Sequence, residues 1–271
     1  MRRAVTAPLG VALLAGAAFA VLAVWATLAG SDTGRTSEAE GRSAAMSTVP
    51  RPVPPAFVPP KPARLSGLDH VSFWSPVRHA TPVRARAGHA AEVIGRLSTR
   101  TPEGTRNLVL VLDRRRDARG ALWVRARLPI LGNNAAGWLP RSALGGYGKV
   151  STHLVVDLAK LTATLYRRGV QVFEARVGVG RPQNPTPTGE FYIRNKLTRY
   201  ANAFYGPVAF GTSARSRTLT DWPGGGFVGI HGTNRPDLLP GRVSHGCIRL
   251  RNVDILALER LMPIGTPLTI T

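Results

Sequence analysis

Residues 152–180, THLVVDLAKLTATLYRRGVQVFEARVGVG, alternate apolar and polar side chains through three successive runs. A period of two suits a pleated strand with one buried face and conflicts with the 3.6-residue period of an amphipathic helix. Turns are placed at Ala159-Lys160 and Arg168-Gly169, so the segment predicts three strands. Composition agrees. Twenty-nine glycines and 22 prolines among 271 residues favour turn-rich β structure over helical bundles. The length suffices for two modest domains with real cores.

The run belongs to a domain read over residues 150–271. RPQNPTPTGEFYI is a proline-punctuated loop entering a strand, and an irregular stretch is expected over 195–226. That stretch contains Tyr200, Tyr205, Trp222 and the triplet Gly224-Gly225-Gly226. Loops this long inside compact domains often bind or cover a ligand, and Tyr205 is taken as a candidate substrate contact. NVDILALERLM predicts one short helix capped by Asn252, with Asp254 in its first turn and Pro263 beyond its end. TPLTIT is the last strand.

Residues 64–148 carry a different texture. ATPVRARAG, AEVIGRL, NLVLVLDRR, ALWVRARLP and AAGWLPRSAL are five short β-type runs separated by turn residues, which predicts a small barrel. His70, His79 and His89 are scattered among them and read as surface residues. VIGRL, the WVRARLP strand and the GWLP turn, in that order, resemble a bacterial SH3-like domain, which implies a targeting or spacer role.

Ahead of both lies APLGVALLAGAAFAVLAVWATLAG, residues 7–30, without a charge and preceded by Arg2 and Arg3. Twenty-four helical residues at about 1.5 Å each can cross a hydrocarbon core about 30 Å thick. Residues 1–30 therefore read as a membrane anchor or signal segment with the rest of the chain outside. Ala18-Phe19-Ala20 offers a cleavage pattern, but it would cut the run in half, which favours an uncleaved anchor. Residues 31–63 are a proline-rich linker in extended form.

The net charge of +21 divides into about +3 over 1–62, +10 over 63–150 and +8 over 151–271. Zinc-finger spacing, an aromatic RNA-binding signature and a basic heptad helix are all missing, so nucleic acid is set aside as a partner. On an exported chain the charge suits anionic envelope polymers.

Cys247 is the single cysteine, in VSHGCIRLRN. An unpaired thiol outside the cytoplasm is exposed to oxidation, so a chemical reason for it is sought. A cysteine attacks carbonyls as thiolate, of which only a few per cent exists at neutral pH unless a histidine takes the proton. Three histidines lie in the domain. His153 sits in an alternating strand and reads as structural. His231 closes FVGI and precedes the turn GTNRPDLLPG, and 12 residues then lead back to Ser244. His231 is favoured as the base, and His245 is expected to point away from the thiol and shape the pocket. Gly246 suits a tight turn, amides near Cys247 suit an oxyanion hole, and Arg249 suits a substrate carboxylate. One cysteine and two histidines without a nearby carboxylate make a poor zinc set, and VGVGRP lacks the third glycine of a dinucleotide loop.

IHGTNRPDLLPGRVSHGCIRLRNVD, with the upstream PTPTGEF, resembles the YkuD-type L,D-transpeptidases, which are bacterial cysteine enzymes that cross-link peptidoglycan. The resemblance covers 150–271. It implies a mainly β architecture with a β-sandwich catalytic domain and no metal or cofactor. It also implies Cys247 as nucleophile, His231 as proton acceptor and donor, and Ser244, His245, Gly246 and Arg249 as site-forming residues. The implied donor is a tetrapeptide stem that loses its terminal D-alanine and passes to a neighbouring stem as a 3→3 cross-link. Carboxypeptidase action, anchoring of a protein to the wall, and a wall-binding module with a degenerate enzyme domain are the alternatives.

Overall fold

The computed structural model describes residues 62–65, 70–130, 132–198, 202–218 and 226–271. The apolar run 7–30, nearly all of the linker, Tyr200 and Trp222 lie outside them. Among the described residues no helix is long and apolar enough to cross a membrane.

The first sheet has eight strands: β1 (Ala63–Arg64), β2 (Ser72–Pro76), β3 (Thr81–Arg84), β4 (Val93–Leu97), β5 (Leu108–Arg116), β6 (Leu122–Arg127), β7 (Ala136–Pro140) and β8 (Gly148–Val150). The five runs expected here form β3 to β7. SFWSP and the two short terminal strands were not anticipated, because none shows an alternating run. GWLP is a strand rather than a turn; β7 pairs with β6 from Ala136 to Pro140, and the chain turns only at Arg141–Ala143. Strand β5 explains the sheet's place. Val109 and Val111 fill its own core with Val83, Val124 and Leu139. Leu108 and Leu110 point the other way and pack on Tyr192 of the second sheet. A strand buried on both faces reads as a continuous apolar run, as LVLV does.

The second sheet has ten strands: β9 (Thr152–Asp157), β10 (Thr162–Arg167), β11 (Val170–Arg176), β12 (Gly178–Gly180), β13 (Gly189–Leu197), β14 (Ala209–Arg215), β15 (Phe227–His231), β16 (Gly241–Ser244), β17 (Ile248–Arg249) and β18 (Pro267–Ile270). Their order is β11-β10-β9-β18-β13-β14-β15-β17-β12-β16. Strand β13 joins two halves: Gly189–Tyr192 pair with β18, and Ile193–Leu197 pair with β14. One core serves both halves, with Leu154, Val156 and Leu165 on one side and Phe210, Ile230 and Ile248 on the other. The result is a β-sandwich with one α-helix, α1 (Asn252–Leu261), whose Ile255 and Leu258 close the core.

Two expectations are corrected. The stretch 195–226 is not irregular throughout, since it contains the end of β13, a 3₁₀ turn at Ala203–Tyr205 and all of β14. AFGTSAR lacks bulky alternation, and its strand is imposed by pairing with β13 and β15. The helix N-cap is Arg251, which offers no side-chain cap, and Asn252 is the first helical residue. Its Oδ1 accepts instead from the Thr233 N–H at 2.9 Å, which ties the helix start to the turn after His231.

Candidate active site

Parallel pairing assembles the site. Ile230 lies opposite Ile248 and His231 opposite Arg249, so the same register sets Gly229 beside Cys247. Ile230 and Ile248 are fully buried in the core, and a period of two turns 229, 231, 247 and 249 to the other face. Cys247, His231 and Arg249 line one cleft there, with Tyr205, Phe227 and His245. No acidic side chain is among the described residues that line it.

Gly229 provides the slot for sulfur. A Cβ at that position would stand 3.8 Å from both Cys247 Sγ and His231 Cδ2, filling the space between them. Its N–H donates to Sγ at 3.4 Å. The cysteine loop is braced from beneath. Ser244 is fully buried, and its hydroxyl donates to the Cys247 carbonyl at 2.6 Å and accepts from the Gly246 N–H at 3.0 Å. Thr186, from PTPTGEF, donates to the Gly246 carbonyl at 2.8 Å. Gly246 holds φ +114°, a conformation side chains rarely adopt, so the loop turns here because the residue is glycine.

His231 is 1 % exposed. Its Nδ1 lies 2.6 Å from the Gly232 carbonyl, which can only accept, so Nδ1 carries the proton and Nε2 presents a lone pair. Nε2 is buried and has no hydrogen-bond partner, and no hydrogen bond joins it to the sulfur. Burial, with the Gly232 carbonyl opposing and the Arg249 charge assisting, pushes the His231 pKa down to about 4. Burial also pushes the Cys247 thiol up, against the Gly229 N–H and Arg249. Both shifts favour a neutral thiol beside a neutral imidazole.

Other candidate residues take definite places. Tyr205 packs edge-on against the His231 ring at 4.9 Å. Arg249 is 7 % exposed, lies 4.5 Å over the Phe204 ring, and leaves its Nε unpartnered. His245 is exposed and lines the same cleft, where its Nε2 lies 3.1 Å from an Arg181 amino group. The expectation that it points away from Cys247 fails, because the segment is not extended: Gly246, at φ +114°, turns the chain between them and both side chains line one cleft. Ser244 and Gly246, expected among substrate-facing groups, direct their polar atoms into the loop itself. His153 bonds Thr269 Oγ1 at 2.8 Å, outside the cleft. Sequence reasoning missed Gly229, Phe227 and Arg181, and it gave Asn252 only the role of a helix cap. Only Gly229 left a signal, as the small residue two before the histidine.

A stability consequence follows from His231. Its folded pKa is depressed, so its contribution is present above the unfolded pKa of about 6.5 and is lost as pH falls towards about 4. Between pH 7 and pH 4.5 the wild type is expected to lose about 2–3 kcal/mol more than His231→Gln, measured by urea unfolding. Equal losses in the two proteins would remove His231 as the cause.

The fold and site thus define a β-sandwich that brings a lone thiol and an unprotonated imidazole to one cleft. Residues 151–270 match the family model of the L,D-transpeptidase catalytic domain, YkuD. Over 118 residues the chain is 36% identical to the Bacillus subtilis (strain 168) protein YkuD, named as an L,D-transpeptidase by inference. That match covers 44% of this chain and 65% of the relative, so just under two thirds of that protein is spanned. A second B. subtilis relative, YqjB, is 34% identical over 103 residues, covering 35% of this chain and 57% of its own length. Among solved structures, the catalytic domain of the Enterococcus faecium L,D-transpeptidase is 28% identical, with a TM-score of 0.35, covering 44% of this chain and 96% of that one.

Proposed function

We propose that the chain forms 3→3 peptidoglycan cross-links as a cysteine acyltransferase. The shared face of Cys247 and His231 across the Gly229 slot carries this reading. The thiol proton passes to His231 Nε2 as sulfur attacks the carbonyl at the L-centre of the donor's diamino acid. Because the resting pair is neutral, attack and proton transfer are coupled, and imidazolium exists only while the reaction runs. The tetrahedral adduct collapses to a thioester, and the imidazolium proton leaves with D-alanine. The acceptor's side-chain amine then gives a proton back to Nε2 as it attacks the thioester, which restores the thiol and forms the amide. The Gly246 amide is taken by Ser244, so the Cys247 amide is the oxyanion donor nearest the sulfur. Arg249 meets a donor carboxylate, and no cofactor or metal enters any step.

Full-length protein incubated with disaccharide-tetrapeptide should yield a dimer lighter by one alanine than two substrates, by mass spectrometry. Tripeptide without dimer would make it a carboxypeptidase. No change in substrate would favour a wall-binding protein.

The chain belongs, on this reading, on the outer side of a bacterial membrane, anchored by residues 7–30, with the eight-stranded part as an SH3-like module facing the wall. Its +10 charge over 63–150 suits weak attachment to anionic polymer. Raising salt to 1 M shortens the Debye length to about 3 Å, so retention on isolated walls should fall several-fold. Retention independent of salt would count against a charge-driven contact.

A further inference from the structure

An ion pair between a buried arginine and a half-buried glutamate joins the β4–β5 loop of the first sheet to the wall of the thiol slot. The loop between β4 and β5 is a tight turn in which Thr101 and Thr105 hydroxyls meet at 2.8 Å. It carries Glu103 to β13, where Arg194 is 1 % exposed. The two side chains pair bidentately, Nη1 to Oε2 at 3.0 Å and Nη2 to Oε1 at 2.7 Å. Burial would raise the Glu103 carboxyl, but the Arg194 hydrogen bond and charge, with hydrogen bonds from the Glu103 backbone and Thr101, together hold the group below its ordinary value.

Two paths run on from that carboxylate. Along the first, the Arg194 guanidinium lies 3.9 Å over the Phe227 ring, and Phe227 lines the cleft with Cys247. Arg215 lies 4.9 Å over the same ring, and its backbone is held by Asn133 of the first-sheet region, at 2.9 Å to N–H and 2.8 Å to C=O. Along the second, Asn195 donates to Glu103 Oε2 at 3.1 Å and accepts from the Gly211 N–H at 3.0 Å. Gly211 pairs directly with Gly229, whose N–H points at the sulfur.

We infer that Glu103, far outside the catalytic sheet in sequence, is a positioning residue for Cys247: it holds β13 and β14 so that the Gly229 N–H stays on the sulfur and Phe227 stays at the cleft wall. The first sheet is on this account part of the active-site support as well as a spacer. A donor to sulfur favours thiolate, so loosening it weakens the thiol's acidity and reactivity. A small misplacement at the reacting centre is enough for a large effect on rate.

The inference rests on Cys247 being the reacting group of the proposed activity, and its test reads the thiol alone. Cys247 is the single cysteine, so iodoacetamide uptake reports one site. Labelling rate against pH is measured on the full chain for wild type, Glu103→Gln and Glu103→Asp. Glu103→Gln should move the labelling midpoint to higher pH and slow labelling at pH 7 by about 3–10-fold, and Glu103→Asp should recover part of it. Leaving Arg194 unpaired in the interior threatens folding, so the double variant Glu103→Gln/Arg194→Gln removes the charge with its partner and should show the same shift. A lowered melting temperature with an unchanged midpoint would make the pair a structural clamp only and overturn the inference, as would unchanged profiles in both variants. A shifted midpoint in a protein that never cross-links stem peptides would sink the proposed function and leave the positioning role standing.

Discussion

Cys247→Ala is expected to abolish acyl transfer while the protein stays folded. Sulfur is the group at the cleft that can form the thioester, and the alanine methyl cannot attack a carbonyl. The structural cost is small. The thiol is half-buried in a slot left by Gly229, and its single hydrogen bond is a 3.4 Å contact from that glycine's N–H. The loop keeps its shape without the sulfur, because Ser244 and Thr186 hold the backbone on either side of it. Intact-mass measurement after exposure to a carbapenem, whose strained amide stands in for the stem carbonyl, should show one adduct on wild type and none on Cys247→Ala. Thermal unfolding should differ by no more than a few degrees. An adduct on the variant would put the nucleophile elsewhere.

His231→Ala is expected to cut turnover by about 10²–10⁴-fold, the usual range for a lost general acid–base. The shape of the loss matters as much as its size. With the His231 pKa near 4, the wild-type base stays unprotonated through the mildly acidic range, so kcat/KM should hold down to about pH 4.5 and fall below it. In His231→Ala that acid limb should vanish. Activity should then climb with pH as the thiol ionises unaided, which the raised thiol pKa places above the ordinary cysteine range. His245→Ala is the matched comparison. Its ring lines the cleft but is exposed and faces Arg181, so its loss should mainly raise KM. Near-full turnover in His231→Ala, with turnover lost in His245→Ala, would transfer the base role to His245.

The two histidines show where sequence reasoning holds and where it fails. His231 was readable because it ends an apolar run, and a strand end that faces a returning loop is a natural site for a base. The orientation of His245 is set by the turn at Gly246, which brings the positions before and after it to one cleft that spacing alone cannot draw. The helix cap failed for a related reason. Asn252 has the chemistry of a cap, but the Thr233 N–H across the turn is the donor its carbonyl oxygen meets. Strand β14 escaped notice because small residues carry no period, and only the neighbouring strands make AFGTSAR extended.

By itself the sequence determined the period-two architecture and the helix after the cysteine loop, and it singled out the thiol and imidazole as the candidate pair. These are local: alternation, turn residues and a lone cysteine are visible within a dozen positions. Tertiary structure decided the rest. The register of β15 against β17 brings residues 16 apart to one slot. Burial of the slot keeps thiol and imidazole neutral at rest. The Glu103–Arg194 pair spans 91 positions, and nothing in either residue's neighbourhood announces the other. A charge can be withdrawn from water only when its partner arrives with it, and that meeting exists only in the folded chain.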